Sequence, residues 1–499
     1  MKKYISFFSL ALCISGVQAQ EISDALRYAQ DNLTGTARFR AMSGAFGALG
    51  GDLSAVSINP AGSAVFANNQ IAITVSNFNT KNNSNYFGTK TSENNNSFDL
   101  NQVGGVLTFV SPNEKSDWKK FSLAVNYENL NNFDNDLFSA GRNPLNSGTN
   151  YFVNYANGVK LGIIEGYDYA ELNYGEQQAS LAYYAFLINP DDSANPNNTL
   201  YYPNIVATGN YHQENEISST GYNGKLSFNA ASQYKDFLFL GINLNAHFSD
   251  YRRSTSFYED YAGATNANAT QGVQRFRYNN NLYTYGSGFS FQLGAIVKPT
   301  KEIRIGLAYE SPTWMTLNEE LSQNLVTVCA DCPDPSYNED PGVINVYEPY
   351  KISTPSKWTL SLASVFGKAG LISIDVSTKD YSNTKFKPQS DFSILNRAMA
   401  TTLTRAYDFR IGAEHKIKQW SLRAGYRNEG SPYDDKNYMS DLKGYSGGVG
   451  YNFGSTKLDL AYSTSKRSYG EQFLSQGMTD RAKIETKNNN ITLTLAFEL

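Results

Sequence analysis

Histidine is nearly absent from this sequence, with three in 499 residues. That leaves little material for acid–base or metal chemistry built on imidazole. Cysteine is equally rare, with three in all, and Cys13 falls in an N-terminal apolar stretch. Charged residues are 18% of the chain, below the usual quarter. No run of 18 apolar residues occurs, so membrane-spanning helices are excluded. Lys and Arg number 42 against 46 Asp and Glu, a net charge of −4 that becomes −6 if Lys2 and Lys3 leave with a leader. Nucleic acid is thereby excluded as a partner, because phosphate binding needs a basic stripe.

What is present is aromatic and small. Tyrosine numbers 35, phenylalanine 29 and glycine 39. Many tyrosines with few charges suit a large β protein whose strands have two differently solvated faces. The chain opens with a basic Met1-Lys2-Lys3, an apolar stretch from Tyr4 to Gly16, and a small-x-small site, Val17-Gln18-Ala19. This is a signal peptide over residues 1–19, and the mature chain starts at Gln20. Leu12 stands where a lipobox before Cys13 needs a small residue, which argues against lipidation.

After residue 68 the dominant signal has period two. Ile491, Leu493, Leu495, Phe497 and Leu499 share one face, with Thr492, Thr494, Ala496 and Glu498 on the other. A membrane-barrel strand needs this pattern, since one face meets lipid and the other a polar lumen. Fourteen such segments are predicted, at about 69–79, 98–110, 119–130, 215–233, 236–252, 281–298, 302–316, 351–366, 369–381, 403–415, 419–429, 443–454, 456–467 and 488–499. Each is long enough for a tilted membrane strand of about 9–11 residues. Their number is even, as bacterial barrels require. Short connections such as Tyr234-Lys235 and Gly367-Lys368 alternate with long ones at 80–97, 131–214, 253–280, 317–350, 382–402, 430–442 and 468–487. Short periplasmic turns and long external loops are the outer-membrane pattern. The expected fold is therefore all-β, a 14-stranded antiparallel transmembrane barrel over residues 69–499.

The alternation assigns faces. Tyr283, Tyr285, Phe289, Phe291, Leu293 and Val297 should meet lipid, as should Leu238, Leu240, Ile242, Leu244, Ala246 and Phe248, and likewise Trp420, Leu422, Ala424 and Tyr426. Arg304, Asp375, Asp408, Arg410 and Glu414 should point into the lumen, with Arg423, Arg427 and Asp459. Two roles compete for the arginines. They can form ion pairs that hold wall and plug together, or Arg304, Arg410 or Arg423 can bind a ligand carboxylate with the guanidinium fork.

Residues 20–68 do not alternate. Ser23 or Asp24 can cap a short helix reaching about Asn32. Residues 35–62 are rich in Gly and Ala and contain Asp52 and Asn59-Pro60-Ala61. Small residues permit close backbone packing, and a barrel this wide would otherwise hold an open water column. The segment is therefore expected to be a plug, or hatch, inside the lumen.

The residues Gly35, Ala37, Arg38, Gly44, Ala48, Asp52, Ser54 and Ala55, then Asn59-Pro60-Ala61 just before the first strand, resemble the FadL/TodX family of outer-membrane transporters for hydrophobic compounds. The motif covers about 40 residues, and the rest is similar in architecture only. Two departures stand out. The chain ends in Leu499 where such barrels usually end in an aromatic. The family's third strand is kinked to open the wall, whereas Phe121 to Leu130 contains no glycine, so a kink here would fall at the asparagine-rich 129–135.

Cys329 and Cys332 form C-A-D-C before Pro333. In an exported chain such a pair reads first as a loop disulfide. A redox motif would need a helix N-terminus, and a zinc site two further ligands, so no metal is expected. His212, His247 and His415 have no local nucleophile arrangement, and no catalytic constellation is found. Within 131–214, Leu181, Tyr184, Ala185 and Ile188 fall on one helical face. That face could line an external apolar groove or pack among loop helices over the barrel mouth.

The resemblance implies passive uptake of hydrophobic small molecules, such as long-chain fatty acids or aromatic hydrocarbons, by a monomer in the bacterial outer membrane. Its partners would be the ligand and membrane lipid. A plug shift near Asn59-Pro60-Ala61 would release ligand, sideways through the wall, with no cofactor. Two rivals are a protein-secretion shuttle or anchor gripping a protein partner, and a polar-solute porin.

Overall fold

The structure is a computed structural model that describes residues 20–499. The leader and Cys13 lie outside the described residues.

Fourteen antiparallel strands close into a barrel. They are β1 (Gln70–Tyr86), β2 (Thr89–Val110), β3 (Trp118–Asn132, resuming as Asn135–Asn143), β4 (Tyr211–Tyr234), β5 (Leu238–Asp260) and β6 (Val273–Val297). Then follow β7 (Ile303–Glu310 and Trp314–Cys329), β8 (Asn345–Ser353 and Lys357–Phe366), β9 (Gly370–Asp380) and β10 (Arg405–Ile417). The last four are β11 (Trp420–Glu429), β12 (Leu442–Asn452), β13 (Thr456–Gln472) and β14 (Arg481–Glu498). Each strand pairs with its sequence neighbour, and β1 closes the sheet on β14 from Gln70↔Glu498 to Asn85↔Lys483. Prolines mark the two breaks at β7 and β8, at Pro312 and Pro355, because proline cannot donate to the ladder.

The strands run further outward than their alternation predicts. Residues 80–97 form no loop: β1 and β2 meet at the two-residue turn Phe87-Gly88, both at positive φ (46° and 89°). That backbone twist suits a tight hairpin. Likewise the long connection 253–280 shrinks to 261–272, and much of 317–350 is strand. Beyond the membrane both faces are wet, so Asn, Ser and Thr occupy them alike and the period-two signal disappears.

Within the membrane band the side chains alternate as the fold requires. Leu240, Ile242, Leu244, Phe289, Leu293 and Leu422 are exposed on the outer surface. Arg410 and Arg423 are buried inward, as are Thr492 and Thr494 opposite exposed Ile491 and Leu493.

Residues 20–66 pack against inward-facing side chains of the wall, as expected of a plug. Helix α1 (Ile22–Ala29) is capped by Glu21, not Ser23 or Asp24; Asp24 instead accepts from the Glu21 backbone N–H at 2.7 Å. Helix α2 (Ala37–Ala41) is capped by Thr36, and two 3-10 turns follow at Ser54–Ser57 and Pro60–Val65. Over the outer mouth, α3 (Thr149–Ala156), α4 (Leu161–Gly166) and α5 (Tyr174–Tyr184) form a cap. It shares a core with Phe276 and Tyr278 of β6 and with Leu474 and Met478.

Candidate functional site in the lumen

The plug is seated by backbone contact. Pro60 starts its 3-10 turn at the first position, where its missing N–H costs nothing, and Asn59 caps it by accepting from the Ala61 N–H. The Asn59 amide donates to Gly47 O at 2.7 Å and to Ala295 O of β6 at 3.0 Å. From the wall, Asn229 of β4 donates to Pro60 O, and Asn243 of β5 to Val56 O, both at 2.9 Å. This approach requires Gly241 and Gly294 on the facing strands. A Cβ on Gly241 would stand 2.5 Å from the Ala61 nitrogen, and one on Gly294 would stand 2.8 Å from Pro60 Cδ.

On the opposite wall the fastening is ionic. Arg38 of α2 forks onto Glu414 of β10 at 2.9 and 3.3 Å. Glu414 also accepts from Arg423 at 2.6 Å, and Arg423 reaches Asp459. Asp375 accepts the Phe46 and Gly47 N–H groups at 3.0 and 2.9 Å.

Between α1 and α2 the plug leaves a cavity of about 90 Å³ against the wall. Tyr28, Phe39, Ile58, Met315 and Leu130 give it an apolar lining. Its charged side carries Asp31, Lys357, Lys379, Glu310 and Arg410. Lys357 of β8 and Lys379 of β9 each bond one Asp31 oxygen, at 2.6 and 2.8 Å. Burial would raise the Asp31 carboxyl, but the two ammonium groups outweigh it and hold it well below the usual carboxylate range. Across the cavity Lys225 lies 3.3 Å from Glu128, which also accepts from Ser57.

Leu130 and Asn131 place the cavity beside a break in the wall. The β2–β3 ladder runs only from Val110↔Lys120 to Gln102↔Glu128. Beyond it β3 slips register at Asn129/Asn131 and is interrupted at Phe133–Asp134. Its outer half stays paired with β4 but lies beneath the first hairpin, where Ser139 bonds Ser84 at 2.7 Å. Thr89–Asn101 of β2 thus has no strand on this side among the described residues. Asn129 and Asn132 bridge the gap through side-chain bonds to Asp99. The kink falls in the asparagine-rich stretch without any glycine.

The three arginines considered as ligand groups all have protein partners. Arg304 donates to Leu49 O of the plug at 2.8 Å, Arg410 pairs with Glu429 at 3.1 Å, and Arg423 holds Glu414 and Asp459. The proposed external groove is not open either. Leu181, Ala185 and Ile188 are fully buried in the cap core, and of the four only Tyr184 is exposed. Cys329 and Cys332 are disulfide-bonded. His212 lies 3.1 Å from Glu214, and His247 is buried 2.8 Å from Ser290. Asp31, Lys357 and Lys379 escaped the sequence reading, although the parity that turns Asp375 inward turns Lys379 inward as well.

A family model, outer membrane protein transport protein (OMPP1/FadL/TodX), matches residues 194–498. Among curated protein sequences none matches this chain. Solved structures share its fold. A FadL homologue of Pseudomonas aeruginosa aligns over 94% of this chain and 99% of its own at 14% identity and TM-score 0.55. The toluene transporter TodX of P. putida aligns over 94% and 99% at 13% identity and TM-score 0.52. With most of its strands inside the matched region, the chain belongs to the OMPP1/FadL/TodX family of outer-membrane transporters of hydrophobic compounds.

Proposed function

We propose that this barrel carries apolar small molecules, long-chain fatty acids or aromatic hydrocarbons, from the outer surface into the lumen cavity and releases them sideways between β2 and β3. One observation carries this reading. The cavity is lined by plug residues on one side and by Leu130 and Asn131 on the other, so it abuts a stretch of wall that lacks a backbone ladder. An apolar solute leaving there enters the bilayer without crossing water, which the hydrophobic effect favours.

The test is uptake into proteoliposomes of a fatty acid and of toluene, with a sugar as control. Cysteines at Asp99 and Asn132, whose side chains already touch across the gap, supply a staple. Uptake of apolar solute but not sugar, abolished by the staple and restored by reduction, is the expected result. Unimpaired uptake through the stapled barrel would rule out sideways exit, and sugar uptake at a similar rate would restore the porin.

A further inference from the structure

We infer that Lys357 and Lys379 form a carboxylate-binding site which the plug's own Asp31 fills, and that an apolar ligand with a carboxylate head enters by displacing Asp31. The inference rests on the transport reading and narrows its substrate to anionic amphiphiles.

The two lysines face each other in the β8–β9 ladder, Lys357↔Lys379. Their side chains are only 9% and 10% exposed. Like charges directly opposite in a sheet repel, and burial sharpens the repulsion. Glu310, directly opposite Lys357 in the β7–β8 ladder, offsets part of this charge. Asp31 bridges the pair, one oxygen to each ammonium, and a free carboxylate can adopt the same bridging geometry. Both lysines stand on rigid wall strands, so the site persists when Asp31 leaves.

Asp31 is the movable member. Residues 31–35 make no backbone–backbone hydrogen bond among the described residues. The Asp31 side chain is 31% exposed, toward the cavity. The same cavity is lined by the apolar side chains of Met315, Ile58 and Leu130, which suit an alkyl chain. Arg410 also lines it and is paired with Glu429. The space already present holds several waters but no long chain, so entry requires the 31–35 linker to move. Displacing Asp31 removes that linker's ionic tie.

The experiment measures binding of decanoate and 1-decanol to the full mature chain in nanodiscs, with empty nanodiscs subtracted. Asp31→Asn removes a tethered competitor, so decanoate should bind about 10-fold or more tighter if the latch opens less than about a tenth of the time. Lys357→Gln and Lys379→Gln should each weaken decanoate about 10-fold, through loss of a charge-assisted bond. Decanol, which has no carboxylate, should gain less than decanoate from Asp31→Asn and should not be weakened by either lysine variant. If a lysine variant fails to assemble, a spin label at Asn32→Cys gives a second readout, because decanoate should mobilise it and decanol should not. Unchanged or weaker decanoate binding in Asp31→Asn overturns the inference, as does an immobile label. Equal effects on both ligands also overturn it while leaving apolar transport intact. Binding of neither ligand by the unaltered protein overturns the transport reading, and this inference with it.

Discussion

Alanine at both Gly241 and Gly294 should unseat the plug and leave the barrel standing. The added Cβ atoms press on backbone and ring atoms of Ala61 and Pro60, at 2.5 and 2.8 Å, where carbon contacts settle near 3.5–4.0 Å. The turn must therefore retreat by about 1 Å, and overpacking of this kind costs about 1–3 kcal/mol. Retreat also strains the Asn59→Ala295 and Asn229→Pro60 bonds, each worth about 1 kcal/mol net. Both glycines press on the same turn, so their costs are not additive. A combined loss of about 3–4 kcal/mol lowers the seated-to-unseated ratio some 100- to 1,000-fold, at about 1.4 kcal/mol per factor of ten. The strands themselves gain, because glycine in a strand interior costs about 0.5–1 kcal/mol relative to alanine. Single-channel conductance in planar bilayers reads the plug, and the heat-induced gel shift reads the barrel. Closed-state conductance equal to that of the unaltered protein, from a properly assembled double variant, would refute the claim that this turn holds the plug.

Four further outcomes follow from the same contacts. Deleting residues 20–62 should leave a folded barrel with the conductance of an open pore, and an unchanged conductance would mean that the segment does not obstruct the lumen. Ile242→Arg on the lipid face should cost about 2–4 kcal/mol near the midplane in a denaturant titration, and tolerance would mean the face was misassigned. Arg423→Gln strips Asp459 of its cation while Glu414 keeps Arg38, so it should destabilise by about 3–5 kcal/mol; Asp459→Asn in the same chain should recover most of that. A thiol reagent should label neither Cys329 nor Cys332 before reduction and both after it, with little change in barrel melting, because so small a loop constrains only local structure.

The wall was legible because lipid and lumen impose opposite chemistries on alternate residues. Leu240, Ile242 and Leu244 against Asn243 and Asn245 could hardly be anything else. Legibility ends where that contrast ends. In the first hairpin Asn79, Lys81, Asn83 and Asn85 face outward while Asn82 and Ser84 face inward, and with both faces polar the strand resembles a loop. The site was harder for another reason. Asp31 and its two lysines are 326 and 348 residues apart in sequence, and nothing local to any of them marks the pair. The fork geometry that suits an arginine to a ligand carboxylate also makes it a good fastener. Helical spacing identified one face of 181–188 as apolar, but periodicity does not say whether solvent, ligand or another loop covers it.

The plug divides into parts of unequal mobility. From Ala37 to Val65 it is bound by backbone groups pressed on glycine, by buried side-chain amides and by the Arg38–Glu414 ion pair, and freeing any of these leaves a desolvated polar group unpaired. From Asp31 to Gly35 the polar ties are fewer, although Leu33 is buried in a cluster with Phe39 and Phe46. Asp31 is held by charge, Asn32 by one exposed amide bond to Asn131, and Gly35 by Asn101. Local opening begins where backbone bonds are fewest and solvent is nearest. That stretch borders both the cavity and the broken segment of β3, since Asn32 bonds directly to Asn131. On the proposed route a ligand need not expel the plug: moving residues 31–35 would connect the cavity to the gap while the Asn59-Pro60-Ala61 turn keeps its bonds to the wall.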